Sequence, residues 1–97
     1  MQGLLKRIVL RRFFFNANLE NSKLISCSFF LTDFRNANLK KADLSLSSFE
    51  GTLLKGANLA GIKGLEDAFI SSINIGTSEN PIILVGEKAR EWLQNKS

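Results

Sequence analysis

Between Phe14 and Leu59 a large apolar residue returns at every fifth position: Phe14, Leu19, Leu24, Phe29, Phe34, Leu39, Leu44, Phe49, Leu54 and Leu59. Two positions before each stands a second series: Arg12, Ala17, Ser22, Cys27, Thr32, Ala37, Ala42, Ser47, Thr52 and Ala57. All of these but Arg12 are small. A period of five is neither the 3.6 of an amphipathic helix nor the 2 of a half-buried strand. It marks a tandem repeat, and a repeat decides the architecture before any local propensity does.

The best copies of the unit are Ala17-Asn18-Leu19, Ala37-Asn38-Leu39, Ala42-Asp43-Leu44 and Ala57-Asn58-Leu59. They resemble the pentapeptide-repeat family, whose motif is close to A-(D/N)-L-x-x, and the resemblance covers residues 12–61. It implies an all-β fold: a right-handed, four-sided β-helix with one pentapeptide per side and twenty residues per coil. Large and small slots would point inward, and the other three positions outward. Residues twenty apart would then stack. Asn18, Asn38 and Asn58 would form a column able to bond through side-chain amides. Lys23, Asp43 and Lys63 would alternate in sign at the strand spacing of ~4.8 Å. Phe29, Phe49 and Phe69 would form an inward column.

The rule frays at both ends. Gly64 falls in a large slot, and residues 65–76 read as a degenerate last coil. Gly76 to Pro81, GTSENP, is a loop by composition. Ile82 to Val85 reads as extended. Glu87 to Asn95 reads as a helix with Ala89, Trp92 and Leu93 on one face and Gly86 as N-cap. Such a helix covers the open end of the stack, as terminal caps of repeat proteins do. This ending also resembles the C-termini of bacterial pentapeptide-repeat proteins. Upstream, the register places Leu4 and Val9 in large slots but Gln2 and Arg7 in small ones. The division expected is a single domain over 1–97: residues 1–11 irregular or a first coil, 12–76 repeat coils, and 77–97 loop and capping helix.

Charge changes the picture only at the N-terminus. Residues 1–12 carry Lys6, Arg7, Arg11 and Arg12 and no acid, whereas the rest of the chain carries nine charges of each sign. One cysteine, Cys27, rules out an internal disulfide and gives no sign of an oxidising compartment. With no apolar h-region at the start, the location expected is cytoplasmic. The absence of His removes the commonest general base and metal ligand. Cys27 falls in an inward slot, and Asp33 and Asp43 fall where the family it resembles has Asp or Asn. No enzyme activity, cofactor, metal or small-molecule substrate is expected.

Large apolar residues in outward slots are the remaining signal. Leu10, Phe13, Phe15, Phe30 and Leu31 fall there, with Ile25, Leu46 and Leu53 as further outward aliphatics. Exposed apolar groups in number point to a contact. With Arg11 and Arg12, the first five make an apolar-basic surface for another protein or for a second copy of the chain. Alternatively, residues 1–11 fold over it. Binding of nucleic acid or a membrane surface by this end is the less favoured reading. Some proteins of the family it resembles protect DNA gyrase from quinolones by resembling B-DNA. That alternative needs columns of acid, and here Asp43 stands between two lysines.

Overall fold

The computed structural model describes residues 8, 9 and 14–97. Ile8–Val9 (β1), Cys27–Phe30 (β2), Ser48–Glu50 (β3) and Phe69–Ile70 (β5) form one parallel sheet in the order β1-β2-β3-β5. Thr52–Leu53 (β4), Ser72–Asn74 (β6) and Ile83–Val85 (β7) form a second, in which β4 and β6 are parallel and β7 is antiparallel to β6. Isolated parallel bridges join Asn18 to Asn38, Asn38 to Asn58, Lys23 to Asp43, Asp43 to Lys63 and Asp33 to Leu53. The twenty-residue recurrence of the sequence is therefore the spacing at which the chain lies back upon itself.

The period of five is a period of turns. The carbonyls of Phe14, Phe34 and Leu39 accept from the N–H groups of Ala17 (2.9 Å), Ala37 (3.0 Å) and Ala42 (2.9 Å). The third residue of each turn has positive φ: Asn16, Asn21, Ser26, Leu31, Asn36, Lys41, Leu46, Gly51, Gly56 and Gly61. Positive φ at that position distinguishes type II from type I turns. Between turns, backbone groups bond to the neighbouring circuit, as Leu39 N–H does to Asn58 C=O (2.9 Å) and Asn38 N–H to Ala17 C=O (2.8 Å). The chain thus turns sharply four times per circuit without orphaning those groups.

The motif's Asp or Asn has a local job. Asn18, Asn38, Asn58, Asp33 and Asp43 each accept, through Oδ1, from the backbone N–H two residues on. These are Asx turns, which lead the chain into the next corner. Of the expected amide ladder, Asn38 Nδ2 donates to Asn18 Oδ1 (3.3 Å). Its upper rung, to Asn58, has no side-chain bond among the described residues. The Lys23–Asp43–Lys63 column exists, but Asp43 bonds Ser45 Oγ (2.6 Å) rather than pairing with either lysine. That bond, with help from both lysines, lowers the Asp43 carboxyl below its ordinary range.

Large and small slots fill the interior together. Phe29, Phe34, Leu39, Leu44, Phe49 and Leu54 are buried with Ala37, Ala42, Thr32, Ser47 and Thr52. Phe29 meets Phe34 and Phe49 edge-on, with ring centroids 5.1 and 5.2 Å apart. Two hydroxyls in small slots reach backbone: Ser47 Oγ donates to Leu24 C=O (2.6 Å) and accepts from Cys27 N–H (3.0 Å), and Thr52 Oγ1 donates to Phe29 C=O (2.7 Å), whereas the buried Thr32 Oγ1 has no hydrogen-bond partner among the described residues. Cys27 is buried, and burial raises its thiol pKa.

Four sequence expectations are corrected. Phe69 does not join the inward column. Ser48 pairs with Phe69 and Phe49 with Ile70, so the offset becomes twenty-one and Phe69 points out. The extra residue is absorbed after Gly64 by a 3-10 turn at Leu65–Asp67, which puts Leu65 and Ala68 into the core. Leu53 is buried rather than outward, on β4 between its Asp33 bridge and β6. Ile8 pairs with Cys27 and Val9 with Ser28, so Val9 is one residue out of the expected large slot. The helix, α1, spans Gly86–Lys96 and its N-cap is Val85, with Gly86 already inside at φ 55.

The cap is tied down at several points. Ala89 and Leu93 are fully buried and Trp92 partly so. Arg90 donates from Nη1 to Leu65 C=O (2.8 Å) and from Nη2 to Ala68 C=O (2.9 Å). Asn74, a polar residue near the end of the core, holds the loop: its Oδ1 accepts from Gly76 N–H (2.8 Å) and Ile82 N–H (3.0 Å).

Gly64 is the pivot of the register change, with φ 85 and the place of its missing Cβ only 2.6 Å from Ser45 N. Gly64→Ala is expected to destabilise by more than the ~1–2 kcal/mol that left-handed backbone alone costs an L-residue, as read by urea unfolding. Gly61→Ala, whose Cβ would meet nothing closer than Lys41 Cγ at 3.3 Å, should lose less.

Candidate interaction surface

Phe15 is an exposed aromatic, at 52% exposure. It sits on the corner that follows Phe14. Arg35, twenty residues on, stands over it with its guanidinium carbon 5.6 Å from the ring centroid. This is cation–π distance. Arg35 is itself held from the side. Its Nε donates to Asp33 Oδ1 (2.9 Å) and its Nη2 to Asp33 Oδ2 (2.7 Å), a two-pronged ion pair. The Arg35 side-chain bond holds the Asp33 carboxyl below its ordinary range, against the opposing effect of burial. The same bond raises Arg35.

Phe15, Arg35, Asn36, Lys55 and Thr77 line an open cleft of about 230 Å³ along this corner. Its floor is aromatic, its wall carries Arg35 and Lys55, and its upper end is closed by the capping loop. Arg35 is already engaged by Asp33, so Lys55 is the cleft's cation without an ion pair among the described residues.

Of the residues singled out from the sequence, Phe15, Phe30 and Leu31 are exposed as expected. They are not one patch. Phe30 and Leu31 occupy the corner before Thr32–Phe34, and Phe15 lies beneath Arg35 on the corner after it. Leu10, Arg11, Arg12 and Phe13 lie outside the described residues. Sequence reasoning missed Arg35, Lys55 and Thr77. The first two were within reach, because they stand twenty and forty residues after Phe15. Thr77 was not, because it stands twenty-two residues after Lys55, past the register change at Gly64 and in the loop before the cap.

The Asp33–Arg35 pair gives a pH signature. A carboxyl lowered in the fold contributes stability above its unfolded pKa of ~3.9, and that contribution is lost as pH falls through the lowered folded value. At neutral pH, Asp33→Asn should cost ~0.2–1 kcal/mol, the range of partly exposed pairs, by urea unfolding. The gap between the two proteins should close in acid. No gap at neutral pH would show that Asp33 acts as a turn residue and not as a charge, because Asn closes the same turn.

No helix among the described residues is long and apolar enough to cross a membrane. Among the described residues, no group of His, Cys, Asp and Glu side chains could hold a metal ion. Searches of the curated proteins and of the solved structures return no match. The family model for pentapeptide repeats matches in eight copies, over residues 14–51 and 32–63. Its matched span coincides with the part of the chain that pairs at an offset of twenty, and on that evidence the chain belongs to the pentapeptide-repeat family.

Proposed function

We propose that the chain is a small, non-enzymatic interaction scaffold of bacterial, cytoplasmic type, built as a right-handed, four-sided β-helix with a C-terminal cap. It binds a protein, another or itself, through apolar and basic residues of its N-terminal side, Leu10, Arg11, Arg12, Phe13, Phe15, Phe30 and Leu31, of which Phe15 stands on one corner and Phe30 and Leu31 on the one before it. The observation that carries this reading is the setting of Phe15. An exposed phenylalanine ring costs solubility, yet here it is held under Arg35, which Asp33 in turn fixes in place. Exposed aromatics beside oriented arginines are the groups that dominate protein interfaces. The parallel pairing at twenty and the turns at five support the four-sided helix. Mimicry of DNA toward gyrase gains no support, since the Lys23–Asp43–Lys63 column alternates in sign where an acidic surface is required.

A photo-crosslinking side chain tests the contact directly. Phe15→benzoylphenylalanine, in cells expressing the chain, should give a discrete adduct. The same probe at the polar, exposed Asn58 should give none, and Arg35→Glu should weaken the adduct at position 15. Absence of any adduct at position 15 overturns the proposed surface.

A further inference from the structure

The strand that leads into the cap has one open edge. β7 is the outer strand of the β4-β6-β7 sheet and pairs with β6 alone. The bonds that flank this pairing fix its phase. Ile75 N–H donates to Ile82 C=O (2.9 Å), and Gly86 N–H donates to Ser71 C=O (3.0 Å). In an antiparallel ladder, residues that exchange hydrogen bonds alternate with residues that do not. Ile82, Leu84 and Gly86 therefore turn their backbone groups toward β6. Ile83 and Val85 turn theirs the other way, to the free edge. Among the described residues, no turn, loop or side-chain bond takes up the N–H of either.

The same edge is apolar and unguarded. Ile82, Ile83 and Val85 are each more than half exposed. An open edge is normally kept from other strands by a charge, a proline or a bulge within it. β7 reads Ile-Leu-Val and holds none of these. It is also short and bounded on both sides. Pro81, which has no N–H, stands two residues before it. At Gly86, with φ 55, the chain turns into α1. A long strand from elsewhere would find nothing more to pair with beyond these bounds.

We infer that β7 is a self-pairing edge, taken antiparallel by β7 of a second copy of the chain about a two-fold axis. This surface is separate from the corner of Phe15 and does not rest on the function proposed for it. A second copy is the occupant that matches the edge, because its β7 has the same length, the same bounds and the same bonding phase. Residues that face each other across an antiparallel pair share one face of the sheet. Side-chain alternation along the strand then allows few registers. With Ile83 opposite Val85 of the second copy, each such pair exchanges two N–H···O=C bonds. The two-fold axis doubles them, and Leu84 faces its own copy at the centre. With Ile83 opposite Ile83, or Val85 opposite Val85, the other residue of the edge is left unpaired. The favoured register also sets Ile82 opposite Gly86 of the second copy. The place of a Cβ on Gly86 has nothing within 4 Å, so the exposed isoleucine has room there. The β4-β6-β7 sheet then runs on through the axis into its copy. A strand of three residues covers far less than the ~800 Å² per partner of a standard interface, which suits weak, concentration-dependent association.

Amide hydrogen exchange by NMR, with sedimentation equilibrium, tests this on the full chain from micromolar to millimolar concentration. The mass of the wild type should rise toward twice that of the monomer. Over the same range the amides of Ile83 and Val85 should slow by about tenfold or more. Leu84, already bonded to β6, should be protected throughout. Val85→Lys and Ile83→Lys, at exposed positions, should keep the wild-type melting temperature at low concentration and stay monomeric at high. Phe15→Asp should leave the association unchanged. A wild type that stays monomeric at millimolar concentration overturns the proposal. So does association that survives Val85→Lys, or that leaves the Ile83 and Val85 amides exchanging as fast as in the monomer. The exchange measurement needs no variant, so it decides even if a lysine variant fails to fold. If wild type is monomeric while the probe at position 15 still yields its adduct, the self-pairing edge falls and the scaffold reading stands.

Discussion

The structure depends on fitting one large side chain per five residues into a narrow interior while the chain turns four times per circuit. The turns demand left-handed backbone at each corner from Asn16 to Gly61. The narrow interior demands that each Leu or Phe be answered by a small residue two positions away. Backbone groups between corners then find partners in the circuits above and below, so every added circuit extends both the core and the hydrogen bonding. The Asn and Asp of the repeat serve the same end, because each closes an Asx turn at the entry to a corner.

Much of this was legible in the sequence because the repeat writes inward and outward positions directly. Phe29 and Phe49, Leu39, Leu44, and the small Ala37 and Ala42 are buried as the spacing requires. Legibility ended where a single residue was inserted. A fixed count of twenty carries Phe69 inward, yet the turn after Gly64 consumes one residue and gives the place to Ile70. Phe69 was a persuasive error because it is chemically suited to the slot it does not occupy. Leu53 was misread for another reason: the outward side of a repeat wall is solvent only where nothing crosses it. The amide column was read correctly in position and only in part in bonding, since Asn38 reaches Asn18 while Asn58 serves its own turn.

The surface reading was partly legible too. Outward apolar residues could be counted from the sequence, but their grouping by wall needs the corner geometry. Phe15 then separates from Phe30 and Leu31 and joins Arg35, Asp33 and Lys55. Ile25 and Leu46, which looked incidental, border the same wall as Phe30 and Leu31. The body has no net charge, so these contrasts between walls, and not an overall field, distinguish one side of the molecule from another.

The central claim is that the small slot is small because it faces a filled interior. Ala42 is fully buried in a small slot, and Ala60 is an exposed alanine outside both slots. Urea unfolding of Ala42→Leu and Ala60→Leu separates the two environments. Overpacking should cost Ala42→Leu ~1–3 kcal/mol, while Ala60→Leu should stay within about ±0.5 kcal/mol of wild type, as surface changes do. Equal effects at the two positions would contradict the account.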